Sequence, residues 1–251
     1  MAKQEIERVP FSTGTDEQIL AMIQAADRGE LDLSEVWKVG DERKVKLSKM
    51  KGEGIEESHD AQQVTFVLMD STLKGLKPVD ESMPLHFAVG LKDCLKEPGH
   101  MNFNWTNAGG WKYSNRRLWC NEQFANALPE IFRLCFRPFI WKTGRGAGEV
   151  KGFHETLDLF ALPAEAMVFG KEAGYAEDGF AQDDEAALYN QWDWYKEPAN
   201  RIKKIRGSAN YWWEASPNSG NSYYFCCVNS NGYADYYGAY STLGLAPFGC
   251  I

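Results

Sequence analysis

Apolar residues near the start of the chain recur at helical spacing and predict a helix over residues 15–28. Thr15 and Gln18 have the spacing of a capping box, and Gly29 ends the pattern. The apolar side of this helix consists of Ile19, Leu20, Met22 and Ile23. We therefore expect the segment to pack on the side of the main domain or to serve a neighbouring chain.

Alternation of apolar and polar residues predicts strands after this helix. Residues 36–47 alternate on both sides of Gly40 and Asp41, which indicates two strands joined by a turn. Residues 63–71 are more uniformly apolar, as is typical of a buried strand. Glycine and proline are frequent over residues 72–110, where we expect long loops.

The middle of the chain alternates between helical patterns and loops. Residues 114–129 predict a helix, and residues 130–137 predict a second, shorter one. Residues 144–152 are glycine-rich and indicate a flexible loop, and residues 157–170 favour a strand followed by a turn. Little regular structure is expected over residues 171–200.

Length and charge narrow the class of protein. The chain has 251 residues, enough for one large domain or two small ones. Its net charge of −8 makes nucleic acid a poor partner. No apolar run approaches the roughly 20 residues of a membrane-spanning helix, and the first residues lack the layout of a secretory signal. We therefore expect neither nucleic-acid binding nor membrane insertion.

Three motifs suggest other chemistry, but a structural interpretation of each is favoured. Residues 144–148 (GRGAG) have the glycine spacing of a phosphate loop, yet no Lys-Ser or Lys-Thr pair follows them. The basic run at residues 201–206 (RIKKIR) is typical of a solvated face on an acidic protein. Asp183, Asp184 and Glu185 lack the ligand spacing of a calcium loop and favour a solvated loop.

The six cysteines indicate neither a zinc site nor a disulfide framework. None of them forms a CxxC pair, and the four histidines do not lie at zinc-finger spacing from them. A core of this size does not need disulfides, so we expect most of the cysteines to be buried free thiols. They are Cys94, Cys120, Cys135, Cys226, Cys227 and Cys250.

The composition changes sharply after Arg206. Residues 207–251 contain no Lys and no Arg, although the chain has 27 of them, and hold seven of its 11 Tyr. Within this tail Asn231-Gly232 predicts a type I′ hairpin between strands around 223–229 and 233–240. So many tyrosine hydroxyls cannot all find partners in a core, and some must lie on a surface.

A surface of Tyr, Ser, Gly and Asn with almost no charge has the composition of an antibody paratope. Tyr supplies a rigid contact area, while the smaller residues supply adaptable hydrogen bonds. Composition alone leaves open an ordinary Tyr-rich sheet edge or an oligomer interface.

Five sequence motifs carry a resemblance to a known family. The tail contains YWWEASPNS, then FCCVNSNG, and closes with GLAPFGC, and upstream segments include GGWKYSNRRLWCN (109–121) and ALPAEAMVFG (161–170). This pattern resembles the variable proteins of diversity-generating retroelements and a related family of gut bacterial and phage proteins. The resemblance covers about residues 35–251.

The resemblance implies an α+β, C-type-lectin-like fold related to that of formylglycine-generating enzymes. Such a fold would have two helices, a small antiparallel sheet and long irregular loops. It implies a ligand-binding domain over residues 35–251 with a variable region over about 207–251, and the helical pattern at 15–28 makes residues 1–34 an N-terminal helical segment. It also implies ligand binding rather than enzyme activity.

In such systems the adenines of a template are copied with errors, so that an Asn codon becomes any codon that ends in a pyrimidine. These codons cannot encode Lys, Glu, Gln, Met or Trp, and none of those five occupies a position that looks variable here. We expect the variable positions to form one contiguous, exposed, ligand-binding patch. They are Tyr223, Tyr224, Cys227, Tyr233, Asp235, Tyr236, Tyr237, Gly238, Tyr240, Ser241 and Leu243.

The resemblance further implies a protein or cell-surface ligand and a phage virion or bacterial surface as the carrier. The calcium-dependent sugar site of C-type lectins uses Glu-Pro-Asn and Trp-Asn-Asp, whereas this chain has EPAN at 197–200 and no Trp-Asn-Asp. We therefore expect no metal or other cofactor. The alternative is a glycan-binding or catalytic relative of formylglycine-generating enzymes, with Cys226, Cys227 or Cys250 in the chemistry.

Overall fold

A computed structural model describes most of the chain. The described residues are 6–52, 54, 58–148, 152–173, 180–181 and 184–251, with the backbone alone for 171–173. Asp183 of the acidic run and the end of the glycine-rich loop therefore lie outside the described residues.

The described elements mix helices with antiparallel strands, so the α+β class is confirmed. The helices are α1 (Asp16–Asp27), α2 (Asn115–Trp119), α3 (Ala125–Ala127), α4 (Glu130–Leu134), α5 (Glu165–Ala173) and α6 (Glu185–Leu188). The strands are β1 (Glu42–Leu47), β2 (Gln62–Asp70), β3 (Lys77–Pro78), β4 (Ala88–Leu91), β5 (Phe139–Gly144), β6 (Phe153–Asp158), β7 (Lys203–Ile205), β8 (Ser208–Asn210), β9 (Trp212–Pro217), β10 (Tyr224–Val228), β11 (Ala234–Gly238) and β12 (Phe248–Cys250). No helix among the described residues is long and apolar enough to cross a membrane.

Four small sheets replace the single sheet expected. The largest has the strand order β1-β2-β4-β12, and the sheet that carries the tyrosine-rich tail has the order β11-β10-β9. The others are β3-β5-β6 and the pair β7-β8. Within these sheets the described strands pair antiparallel, which brings β12 beside β4.

Helix α1 begins and packs as its sequence predicts. The Thr15 side chain accepts from the backbone of Gln18, whose side chain accepts from the backbone of Thr15 in return. Ile19, Met22 and Ile23 are fully buried, and they belong to the same hydrophobic core as the rest of the chain. The N-terminal segment therefore shares one core with the residues that follow it.

The predicted strand pair at residues 36–47 is wrong in its first half. Only Glu42–Leu47 forms a strand, and residues 36–41 make a turn in which Asp41 accepts from the backbone of Lys38. The apparent alternation arises because Trp37 is buried, with its indole N–H donated to the Val9 carbonyl, while Val36 is half-buried and Lys38 is exposed. The buried strand predicted at 63–71 is confirmed as β2.

The predicted helix over 114–129 is confirmed from Asn115 to Ala127, with a π-helical turn at Cys120–Phe124 between α2 and α3. Ser114 caps it by accepting from the backbone of Arg117. The two-helix expectation is wrong because residues 165–173 and 185–188, where a turn and loops are predicted, also form helices. The strand expected within 157–170 lies earlier, over β6.

Asp158 at the end of β6 is fully buried and ties these elements together. Its Oδ1 accepts from Arg117 Nε at 2.6 Å and from Asn121 Nδ2 at 3.0 Å. Its Oδ2 accepts from the indoles of Trp111 and Trp141 and from the Thr156 hydroxyl. A buried charge with this many donors is fully compensated, so the motif at 109–121 serves the fold rather than a ligand.

Lys203 in the basic run is fully buried, which corrects the expectation of a wholly solvated face. Its ammonium donates to the carbonyls of Leu91 and Lys92 and lies over the ring of Trp212 at 5.2 Å. Burial lowers the pKa of Lys203 to about 8. Arg206 of the same run pairs with Glu97 at the surface.

Replacing the fully buried Asp158 with Asn should lower the free energy of unfolding by about 3–5 kcal/mol, because the half-buried Arg117 charge loses its counter-ion. Denaturant unfolding measures this loss. The control is Asp193→Asn, which breaks an exposed pair with Lys196 and should cost about 0.5 kcal/mol or less. Equal losses in the two variants would contradict a structural role for Asp158.

The buried Lys203 should make stability depend on pH in the alkaline range. Between about pH 8 and 10.5 the unfolded chain holds a proton that the folded chain has released, so stability should rise with pH there. The full effect is about 3 kcal/mol. It is measured as the difference between wild type and Lys203→Met, in which this rise should disappear, and a parallel pH profile in both proteins would contradict it.

Candidate functional site

The hairpin β10–β11 forms where Asn231-Gly232 predicts it, but its turn is not type I′. Gly232 has φ of +83°, whereas Asn231 does not lie in the left-handed region. The Asn229 carbonyl accepts from the Gly232 N–H, and its side chain accepts from the N–H groups of Asn231 and Tyr233. A turn closed by a side chain and followed by a left-handed glycine fixes the hairpin equally well.

Strand β11 is the outer strand of its sheet, and its two adjacent tyrosines point to opposite faces. Tyr236 lies opposite Cys226, and Tyr237 lies opposite Phe225. The exposed tyrosines therefore wrap around the edge of the sheet instead of covering one face.

One face of this edge carries a row of aromatic rings, which we call the aromatic row. The Tyr236 ring lies 4.8 Å from Phe180 and 5.1 Å from Tyr224. Gly238 stands opposite Tyr224, and a Cβ there would lie 2.7 Å from the Trp105 ring, so only glycine admits this indole. The row comprises Phe180, Tyr236, Tyr224, Trp105, Tyr240 and His100, of which His100 stacks on Tyr240 at 4.8 Å and Trp105 lies 5.5 Å from it.

The other face of the edge carries a smaller group. Tyr237 packs edge-on against Tyr211 at 5.4 Å, and Asp235 lies beside them. Partial burial and the Asp235 charge raise the pKa of Tyr211, so its hydroxyl stays neutral at physiological pH. This group adds two phenols and one carboxylate to the surface.

The predicted site residues divide into three classes of exposure. Tyr223, Tyr233, Tyr236 and Tyr237 are exposed, at 54%, 69%, 39% and 43%. Tyr224, Asp235, Tyr240 and Ser241 are half-buried. The expectation of exposure is wrong for Cys227, Gly238 and Leu243, which are buried.

Each buried position has a physical reason. Cys227 lies on the central strand opposite Trp213, in the body of the core. Leu243 exchanges backbone hydrogen bonds with Gly99, which places its side chain inward. Gly238 lies under Trp105.

Sequence reasoning missed the aromatic residues that reach this surface from outside the hairpin. Trp105 is 58% exposed and lies in a predicted loop, and Phe180 lies in another. Thr242, also missed, is exposed beside Ser241. A lone Trp in a polar loop (FNWTN) is the signal that could have identified Trp105.

Asn107 holds the loop that precedes β10. Its Nδ2 donates to the carbonyls of Asn221 and Tyr224, and its Oδ1 accepts from the Ala147 N–H at 2.7 Å. The described part of the glycine-rich motif therefore docks on Asn107, and Gly146 gives the backbone room to approach it. This contact explains the glycines without a phosphate ligand.

All six cysteines are buried and free, which confirms the expectation from the sequence. Burial raises the pKa of Cys94 and of Cys135 to about 12, and it raises that of Cys226 well above its ordinary value. A thiol that is both buried and protonated is a poor nucleophile.

A second set of chemically capable side chains lies behind the aromatic row. Carboxylate oxygens of Glu165 and Glu214 and the sulfur of Cys226 lie within 4.8 Å of one another, and all three residues are buried. Glu185 is also fully buried, which corrects the expectation that the acidic run is solvated. We call these four residues the acidic cluster.

Comparison with known proteins places most of this architecture in one family. The model of DUF6273, a domain of unknown function, matches residues 86–251, from just before β4 to beyond β12. No curated protein and no solved structure matches the chain. The matched part includes the aromatic row, the acidic cluster and the Asp158 network. Since the match covers well over half of the 251 residues, the chain belongs to the DUF6273 family.

Proposed function

We propose that this protein binds a protein or cell-surface ligand through the tyrosine-rich edge of β10–β11 and the aromatic row. The observation that carries this proposal is the exposure of four tyrosines on one hairpin, which pairs with the fully buried strand β9. Exposed aromatic residues on a rigid base are typical of binding surfaces, because they bury large areas at a small loss of conformational entropy.

The chemistry of the surface supports contact with a macromolecule. Tyrosine, tryptophan and histidine each combine an apolar ring with a hydrogen-bonding atom, and such residues dominate the energy of protein interfaces. The absence of Lys and Arg from residues 207–251 removes the long, flexible side chains that lose most entropy on binding.

We infer that a retroelement diversifies this surface. The exposed and half-buried members of the predicted set are all amino acids that an Asn codon can come to encode through changes in its first two bases, and exposed Thr242 is as well. Phe225, Cys226 and Val228 are buried on β10, the strand that pairs with the tyrosine-bearing β11. Substitution at the exposed positions would leave this base in place.

A C-type-lectin-like fold is the architecture we propose for this function. Small antiparallel sheets that carry long irregular loops support it, as does the position of the tail on a three-stranded sheet. We propose a phage virion or a bacterial surface as the carrier. The burial of Cys226, Cys227 and Cys250 supports binding over thiol catalysis, because a catalytic thiol has to reach its substrate.

A displayed library tests the binding surface. Randomising Tyr223, Tyr233, Tyr236 and Tyr237 with pyrimidine-ending codons should leave most members folded, because each exposed substitution changes stability by about 0.5 kcal/mol. Protease resistance measures the folded fraction. Selection of this library on immobilised lysozyme, an arbitrary target, should then yield specific binders.

Two control libraries make the result specific. A library at the exposed residues Val79, Leu118, Leu134 and Leu157 should stay folded but yield no binders. Substitution of buried Phe225, opposite Tyr237, should unfold most members, since Phe→Ala in a core costs about 3–5 kcal/mol. Two results would refute the proposal that this surface binds the ligand. One is an equal yield of specific binders from the two libraries at exposed residues. The other is a large loss of stability in the double variant Tyr236→Ala/Tyr237→Ala.

The flanking DNA tests diversification separately. We expect an adenine-rich near-copy of the codons for residues 210–250 beside a reverse transcriptase gene. Substitutions between the two copies should fall on the exposed positions and spare the codons of Phe225 and Val228. If the flanking DNA holds no such repeat, the proposal that a retroelement diversifies this surface is wrong. The library experiment would still test whether the surface binds a ligand.

A further inference from the structure

The acidic cluster joins four separate elements of the chain. Glu165 begins α5, Glu185 begins α6, Glu214 lies in β9 and Cys226 lies in the adjacent β10. The ligand-type atoms of Glu165, Glu214 and Cys226 fit within 4.8 Å of one another. Atoms that share one tetrahedral zinc ion at about 2.0–2.3 Å are separated by roughly 3–4 Å, which this spacing accommodates.

Glu214 points into this cluster without a partner. It is fully buried, and neither of its carboxylate oxygens has a hydrogen-bond partner among the described residues. Buried carboxylates in proteins are normally paired, hydrogen-bonded or bound to a cation, because an isolated charge loses its hydration.

Glu185 provides a second, independent observation. It comes from a different element, and its burial is complete. Burial raises the pKa of Glu185 to about 8, with a smaller contribution from the charge of Glu165, and hydrogen bonding to Ser216 and to the Gly144 backbone offsets only part of this rise. The same causes raise the pKa of Glu214.

No basic side chain forms an ion pair with Glu185 or Glu214 within the described residues. The ion pairs of Arg43, Arg117 and Arg137 are with Asp16, Asp158 and Asp27. Buried Arg116 donates to the His100 carbonyl, and buried Lys203 donates to the carbonyls of Leu91 and Lys92. A cation from solution would neutralise Glu214 without protonating it.

We propose that Glu165, Glu214 and Cys226 bind a divalent zinc-type metal ion, with Glu185 placed to complete or orient its coordination. The mixed donor set determines the class of metal. Zinc accepts both thiolate and carboxylate ligands in four-coordinate sites. Calcium and magnesium require six or more oxygen ligands or several waters, and neither favours a sulfur ligand.

The position of this site gives it a structural role beside the binding surface. Cys226 lies directly opposite Tyr236, and the Ala181 N–H donates to Glu165 Oε2 at 2.9 Å. Ala181 follows Phe180, whose ring packs on Tyr236. A bound ion would therefore fasten the segment that supports one end of the aromatic row to β9 and β10.

Elemental analysis of the full-length protein, purified without chelator, tests the site. We expect about one zinc per chain, and chelation followed by Zn²⁺ should lower and then restore the unfolding temperature. Co²⁺ added to the chelated protein should give a thiolate-to-cobalt charge-transfer band, which reports a sulfur ligand directly.

Two variants and one control assign the ligands. Glu214→Gln and Cys226→Ser should each lower Zn²⁺ affinity at least tenfold, and Cys226→Ser should abolish the cobalt band. Cys227→Ser alters the neighbouring buried thiol on the opposite face of the sheet and should leave both signals unchanged.

Four results would overturn the proposal. They are a folded wild-type protein that carries no zinc and gains no stability from it, stabilisation by Ca²⁺ but not Zn²⁺, unchanged binding in Cys226→Ser, or loss of the cobalt band in Cys227→Ser. Because none of these measurements involves the ligand of the hairpin, a failure here is distinguishable from a failure of the proposed function.

Discussion

The carboxylate of Asp158 organises the fold by receiving five side-chain hydrogen bonds in a fully buried position. Its donors come from the 111–121 segment and from strands β5 and β6, so one charge fixes three parts of the chain. Asn121 extends the network, because its Oδ1 accepts from the N–H groups of Leu159 and Phe160. The loop that carries Trp105 and Asn107 is anchored where it enters this segment. The geometry of the aromatic row thus depends on a charge that lies outside it.

The sequence is sufficient for elements whose determinants are local. The capping box of α1, the hairpin at Asn231-Gly232 and the buried strand β2 each follow from a few neighbouring residues. The burial of all six cysteines follows from their chemistry and from the size of the core. In these cases tertiary contacts reinforce the local preference.

Local sequence patterns predict burial wrongly for residues whose burial depends on contacts with distant parts of the chain. Glu185 follows two acidic residues and resembles a solvated loop, yet it is buried beside residues from β9 and β10. Lys203 is buried because carbonyls more than 100 residues away accept from it. Cys227 and Leu243 lie among exposed residues in the sequence, but strand register and a bridge to Gly99 turn them inward. No window of a few residues contains that information.

Because β12 completes the largest sheet, the protein can fold fully only when the reading frame is intact as far as β12. Phe248–Cys250 completes the largest sheet beside β4, and the Cys250 carbonyl also accepts from the Arg137 N–H. These contacts span more than a hundred residues, so the sheet stays incomplete until β12 has been synthesised. A frameshift or stop codon within the hairpin would remove β12 and leave apolar surface of the core exposed. Chains that are changed only by substitution at the surface would still fold, whereas chains with a damaged frame would be left to chaperones and proteases.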